Sequence, residues 1–355
     1  MRLADLRPVN ERAIRNAGPR YMPGQDPDAP NLQITSIVET FDALGITEAF
    51  RARVEDLRSR VRTAWSETPT DFRAAISRLA NSPNRLAANL RSLSTASPAA
   101  SGAAAETVRR TAAAMNRATQ RRLAALDAAL AAAAPDSETH RNLQSDTHRV
   151  RRFMTLVRSV LAFTDAASCQ AMASNRLLVL GRWGTGKTHS LCDVAERRMS
   201  SRLPTLLCLG QQLPVGVEPL EGICRITGLA TTPERLLRGL QRMGEQRNCR
   251  ALLIVDAINE GDRTTWKRAL PALCRQFNQY PNVGLVLSCR EPFNNQILGR
   301  RAAQQFVTMY HQGFAEREFD AQLSFFDYYN IPAPHFPPCC KSARSWPCWP
   351  TSGRM

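Results

Sequence analysis

Residues 181–188, Gly181-Arg-Trp-Gly-Thr-Gly186-Lys187-Thr188, restrict the folds open to this chain more than any other stretch. They fit G-x-x-x-x-G-K-[ST] in full, and that pattern works only between a strand and a helix. Both flanks are legible. Arg176-Leu-Leu-Val-Leu180 reads as the strand, and Leu191, Val194, Ala195 and Met199 mark a following helix. The glycines let the backbone curl so that successive amides face phosphate oxygens, and the helix start adds roughly half a positive charge there. On this reading Gly181, Gly184, Thr185, Gly186, Lys187, Thr188 and His189 bind the nucleotide. Lys187 neutralises the β- and γ-phosphates, and the Thr188 hydroxyl is a ligand for Mg²⁺. The alternative is a glycine-rich turn with an incidental lysine.

Further short apolar runs at 205–209, 251–255, 283–287 and 306–310 alternate with helical stretches. That alternation implies a parallel sheet covered on both faces. Ala251-Leu-Leu-Ile-Val-Asp256 ends in a carboxylate placed to hold the metal with Thr188. Four residues on, Glu260 is placed to orient and deprotonate an attacking water, or else is a capping or surface acid. The next run ends in Cys289-Arg290. Ligands gather at the carboxyl ends of parallel strands, so Arg290 either reaches the γ-phosphate or pairs with a local carboxylate such as Glu291. The candidate catalytic set is thus Glu260, Lys187 and Arg290, with Thr188 and Asp256 for the metal.

Upstream, the chain reads as helical. Seven Pro and Gly residues make 1–35 an irregular segment. Ser36-Ile-Val-Glu39 has the form of a capping box. Ile46, Phe50, Val54, Leu57, Val61 and Trp65 share one helical face, and a second helix follows Thr70-Asp71. Residues 96–135 hold 18 Ala in 40 positions, which favours helix but buries little area, so a peripheral helix or a spacer is expected. Asp136 or Ser137 caps the next helix. The expected divisions are 1–35 irregular, 36–165 helical, 170–331 α/β and 332–355 a tail. The first 150 residues contain neither Lys nor Cys, which excludes a lysine-dependent nuclease or a cysteine protease there. His140 and His148, near Asp136 and Asp146, are read as surface residues rather than metal ligands.

A net charge of +16 invites a nucleic-acid partner. However, 44 of the 47 basic residues are Arg spread along the whole chain, so that partner has little support. Seven cysteines (169, 192, 208, 224, 249, 274 and 289) sit mostly among apolar neighbours without a CxxC pair, as buried thiols of a reducing cytoplasm do. No apolar run is long enough to span a membrane and no signal segment opens the chain, so a cytoplasmic protein is expected.

No Asn-Lys-x-Asp is present, which disfavours a GTPase. The extra run 204–210 between the phosphate loop and Asp256, together with Glu260, fits the additional-strand P-loop NTPases. More narrowly, the loop through His189, Asp256-Ala-Ile-Asn-Glu-Gly261 and Ser288-Cys-Arg-Glu-Pro-Phe293 resemble the NACHT-related STAND NTPases of bacterial antiviral systems. His311-Gln-Gly-Phe314 with Phe325-Phe-Asp-Tyr-Tyr-Asn-Ile331 resembles the end of that module. Ala17-Gly-Pro-Arg-Tyr21 and Phe41-Asp-Ala-Leu44 resemble a segment that precedes it. The resemblance covers about 175–331 well and 12–50 loosely. It implies ATP and Mg²⁺ as cofactors, an ATP/ADP switch between a closed monomer and an active homo-oligomer, and defence signalling. Asn259 stands where the family carries Asp, which bears on hydrolysis rate. The winged-helix module and C-terminal sensor, which would bind an unknown trigger ligand, are missing. Residues 337–355 hold three of ten Cys and two of five Trp, and are read as out-of-frame translation or a natural disordered tail. Two other functions stand beside the switch: an AAA+/RecA-like ATPase acting on nucleic acid, and a truncated nucleotide-binding remnant.

Overall fold

The computed structural model describes residues 1–21, 35–79, 83–230 and 232–313. Seven helices come first: α1 Leu3–Ala17, α2 Thr35–Gly45, α3 Glu48–Ser66, α4 Thr70–Leu79, α5 Pro83–Thr95, α6 Ser101–Ala132 and α7 Glu138–Asp165. The short α8 Ala167–Ser174 leads into strand β1 Arg176–Gly181, then α9 Lys187–Ser200 and β2 Thr205–Leu209. The chain continues through α10 Pro219–Thr227, α11 Pro233–Gln246, β3 Ala251–Asp256, α12 Arg263–Asn278 and β4 Val283–Arg290. Two short helices, α13 Asn294–Ile297 and α14 Gly299–Ala303, precede β5 Val307–Tyr310. No helix among the described residues is long and apolar enough to cross a membrane.

The five strands form one parallel sheet in the order β2-β3-β4-β1-β5. Every strand expected from the apolar runs is present. Because the crossovers bury both faces, the central strands need no polar alternation; β3 is buried along its whole length. One face packs Leu178, Leu206, Leu253 and Leu285 against α10, α11 and α12. The other packs Leu177, Leu207, Ile254 and Val286 against α9 and α2. All seven described cysteines are buried.

The N-terminal segment differs from expectation. Residues 3–17 form a helix with Pro8 inside it. An interior proline costs roughly 3 kcal/mol. Burial of Leu6 and Val9 against the sheet core offsets that, at about 1.5–3 kcal/mol for each fully buried aliphatic side chain. Asn10 supplies the rest of the reason. β2 is an edge strand, and the fully buried Asn10 amide donates to Thr205 O (2.7 Å) and accepts from Leu207 N (2.8 Å). One side chain thus pairs with two backbone groups of the sheet edge.

The capping box at Ser36 is also displaced: α2 starts at Thr35. Ile46, at φ 50°, then separates α2 from α3. Thr47 caps α3, accepting from Phe50 N at 3.4 Å. The stripe Phe50, Val54, Leu57, Val61 is buried as its spacing predicts, and Phe72 and Ile76 join it from α4. The alanine-rich α6 is no spacer. Ala105, Val108, Ala112, Met115 and Ala118 are buried in the same core as Val150, Phe153 and Val157 of α7, because small side chains let two long helices approach closely. Ser137 caps α7, accepting from His140 N at 3.0 Å.

The boundary between helical and α/β parts moves as well. α1 and α2 share cores with the sheet, while α3–α7 form a separate helical core. The Phe325–Ile331 resemblance and the tail from 332 lie outside the described residues.

Candidate functional site

β1 ends at Gly181 and α9 starts at Lys187, so residues 182–186 form the loop between them. Gly184 and Gly186 hold φ 79° and 81°, which disfavours a side chain there. Gly181 is required for a different reason. A Cβ on it would lie 2.8 Å from His311 O and 2.9 Å from Thr185 Oγ1. The Lys187 ammonium rests inside this loop, donating to Gly181 O (2.9 Å), Arg182 O (2.7 Å) and Thr185 Oγ1 (3.3 Å). Burial pulls its pKa down.

The register of the sheet brings the rest together. β4 lies between β1 and β3, so their carboxyl ends meet over a short distance. Thr188 Oγ1 donates to Asp256 Oδ2 at 2.7 Å, and Ser288 Oγ donates to Asp256 Oδ1 at 2.5 Å. Ser288 Oγ in turn accepts from Ala257 N at 2.7 Å. Burial raises the pKa of Asp256, while Ser288 and Thr188 act in the opposite direction. A hydroxyl and a carboxylate beside a helix start form a donor set suited to a hard divalent cation. Among the described residues no group of three or more His, Cys, Asp or Glu is arranged to hold a metal ion.

Ala257 sits at φ 53°, ψ 53°, a left-handed conformation that turns the chain sharply after Asp256. The turn Ile258–Glu260 then brings Asn259 and Glu260 back to β4. Buried Asn259 accepts from Arg290 N through Oδ1 at 2.9 Å, which ties the end of β4 to this turn. The Arg290 guanidinium does not pair with the exposed Glu291. It pairs with Glu260, Nη2 to Oε1 at 2.6 Å. Glu260 has a second cation: Arg20 Nη1 lies 3.2 Å from Oε2. With its amide oxygen turned toward Arg20, Gln211 accepts from Arg20 Nη2 (2.8 Å) and donates to Glu260 Oε2 (3.1 Å). A cleft of about 670 Å³ opens beside this group, lined in part by Gln211, Glu260, Asp262 and Arg290.

Two histidines flank the loop, His189 half-buried and His311 buried. His189 packs its ring against Tyr21 at 5.2 Å, and burial lowers its pKa. His311 accepts from Gly313 N at Nδ1 (3.1 Å), so Nε2 carries the proton and donates to Ser190 Oγ (2.9 Å). Burial and the Lys187 charge push it down to about 4.

Lys187, Thr188, Asp256, Glu260 and Arg290 therefore converge from four separate elements, as their motif positions predict. Sequence reasoning did not single out Arg20, Gln211 or Ser288. Ser288 carries one available signal, a hydroxyl closing an apolar run next in register to Asp256. Arg20 lies about 160 residues from the loop in sequence and carries no spacing signal at all. No family model, curated protein or solved structure matches the chain.

Proposed function

We propose that this chain is an ATP-binding P-loop NTPase of the STAND class, a nucleotide-dependent switch with slow Mg²⁺-dependent hydrolysis. One observation carries the reading: the Lys187 loop and the Thr188–Asp256 pair meet at the carboxyl ends of β1 and β3, with β4 inserted between them. That strand order supports the additional-strand type. The loop amides, Lys187 and the start of α9 would hold the phosphates. Thr188 and Asp256 would hold Mg²⁺, which when bound supplies charge neutralisation on phosphate oxygens. Ser288 keeps Asp256 oriented for that task. Glu260 lies beside the cleft and takes the part of the base, with Arg290 between it and the phosphate end. Asn259 serves as a peg for β4 through a carbonyl oxygen, a bond an aspartate oxygen would also make. The part in antiphage signalling, and the ATP-driven homo-oligomer, rest on the resemblance of the motif residues alone.

Equilibrium binding of ATP tests the site. Lys187→Ala is expected to weaken ATP at least about 100-fold, since it removes a charge-assisted partner of two phosphates. Retained binding would sink the assignment. Glu260→Gln is expected to keep binding and lose turnover. Size-exclusion chromatography with ATP against ADP tests the switch.

A further inference from the structure

Residues 18–21 cross the same end of the sheet as the nucleotide loop. Tyr21 fastens this segment on one side. It is buried, its hydroxyl donates to Glu196 of α9, and its ring lies on His189. Arg20 reaches the other side. Its Nε donates to Ala17 O at 3.1 Å, which fixes the guanidinium, and its Nη1 meets Glu260 Oε2. The charge of Arg20 is also felt at Asp256, where it favours the carboxylate. Three cations, Lys187, Arg20 and Arg290, thus surround one carboxylate pair, Asp256 and Glu260. Both oxygens of Glu260 are taken, one by each arginine. A carboxylate held so is turned toward the two arginines, and two guanidiniums around one carboxylate leave donors to spare.

We propose that Arg20 is a third cation of the nucleotide site, which exchanges its bond to Glu260 for the terminal phosphate of a nucleoside triphosphate. The inference rests on the nucleotide reading above. A terminal phosphate offers Arg20 a bidentate partner of higher charge, whereas only Nη1 of Arg20 meets Glu260. A diphosphate lacks that group and leaves Arg20 on Glu260. The N-terminal segment then discriminates triphosphate from diphosphate, and Glu260 is released only when the triphosphate is present.

The test measures the affinities of ATPγS and ADP, each with Mg²⁺, for full-length wild type, Arg20→Ala, Arg20→Lys and Lys187→Ala. Arg20 is about a third exposed, so its truncation leaves the core intact, and thermal melting of each variant checks this. Arg20→Ala is expected to cut the preference for ATPγS over ADP about tenfold, with ADP nearly unchanged; Arg20→Lys recovers part of it. Equal losses for both nucleotides mean a merely structural residue and overturn the proposal, as does an unchanged preference. A second measurement uses Glu260→Gln, which removes the competing charge. It is expected to raise the ATPγS preference in the wild-type background and not in Arg20→Ala; an equal rise in both backgrounds also overturns it. If Lys187→Ala binds both nucleotides as wild type does, the nucleotide reading itself fails, a result separable from a failure at Arg20 alone.

Discussion

His311 closes the floor of the 181–188 loop as a neutral ring, and this has a consequence for stability. Its ordinary pKa is 6.5 and its folded value is pushed down to about 4. At pH 7 folded and unfolded chains both carry it neutral. As pH falls below 6.5 the unfolded chain takes up a proton that the folded chain refuses until about 4. Stability therefore drops across that window, by on the order of 3 kcal/mol from this residue. His311→Gln keeps a donor toward Ser190 and is expected to flatten the fall. Urea denaturation at pH 7 and pH 4.5 checks this, and equal pH slopes for the two proteins would contradict it. Gly181→Ala tests the other close contact. A methyl 2.8 Å from His311 O forces backbone apart, with an expected cost of roughly 1–3 kcal/mol in the same experiment. At this scale the loop glycines and Lys187 were legible because their chemistry is local. Arg20 was not, because its run Ala17-Gly-Pro-Arg-Tyr21 has no spacing to the loop that would mark the arginine as part of the site.

Among the elements, α1 departs furthest from expectation. Pro8 within it and the prolines and glycines that follow it read as loop, and a helix stands there because the edge of β2 must be covered. An uncovered edge strand leaves a row of backbone groups open to pairing with other chains. Asn10→Leu keeps helix propensity and removes both bonds to β2, leaving Thr205 O and Leu207 N without that partner. The expected loss is about 2–4 kcal/mol from two buried groups. Amide exchange at Leu207 is expected to accelerate more than at Val255 of β3, which lies inside the sheet. The same comparison explains why the strands were read correctly and the N-terminus was not. A central parallel strand is an apolar run by physical necessity, whatever packs on it. A surface helix that carries proline is stable only through what it touches.

Across the whole molecule, two buried arginines join the helical part to the sheet. Arg250 is 1% exposed and among the described residues pairs with no carboxylate. Its guanidinium donates to Leu44 O, Met172 O, Pro98 O and Pro281 O, and its backbone amide donates to Gly45 O. Leu44 and Met172 lie in the last turns of α2 and α8, where helix dipoles favour a cation. Burial lowers its pKa to about 9, which still leaves it charged at neutral pH. Arg198 donates to Arg250 O at 2.9 Å and to Thr205 Oγ1 at 2.7 Å, linking α9 to the same junction. Arg250→Met is expected to cost at least about 3 kcal/mol, because four carbonyls lose a partner at once. Thermal unfolding followed by far-UV signal and by Trp fluorescence is expected to lose coincidence in that variant, as the α3–α7 core separates from the sheet. Coincident transitions would contradict that linkage. The sequence by itself determined the five strands, the glycine-rich loop 181–188 and the carboxylate that faces Thr188, since each depends on residues within a few positions of one another. Only the tertiary structure decided that residues 1–21 belong to the α/β core, that Glu260 is held between Arg20 and Arg290, and that Arg250 caps two helices. Those contacts span 30 to 240 positions along the chain, and pairings at that range are chosen by packing and by the need to satisfy buried polar groups, which no local pattern encodes.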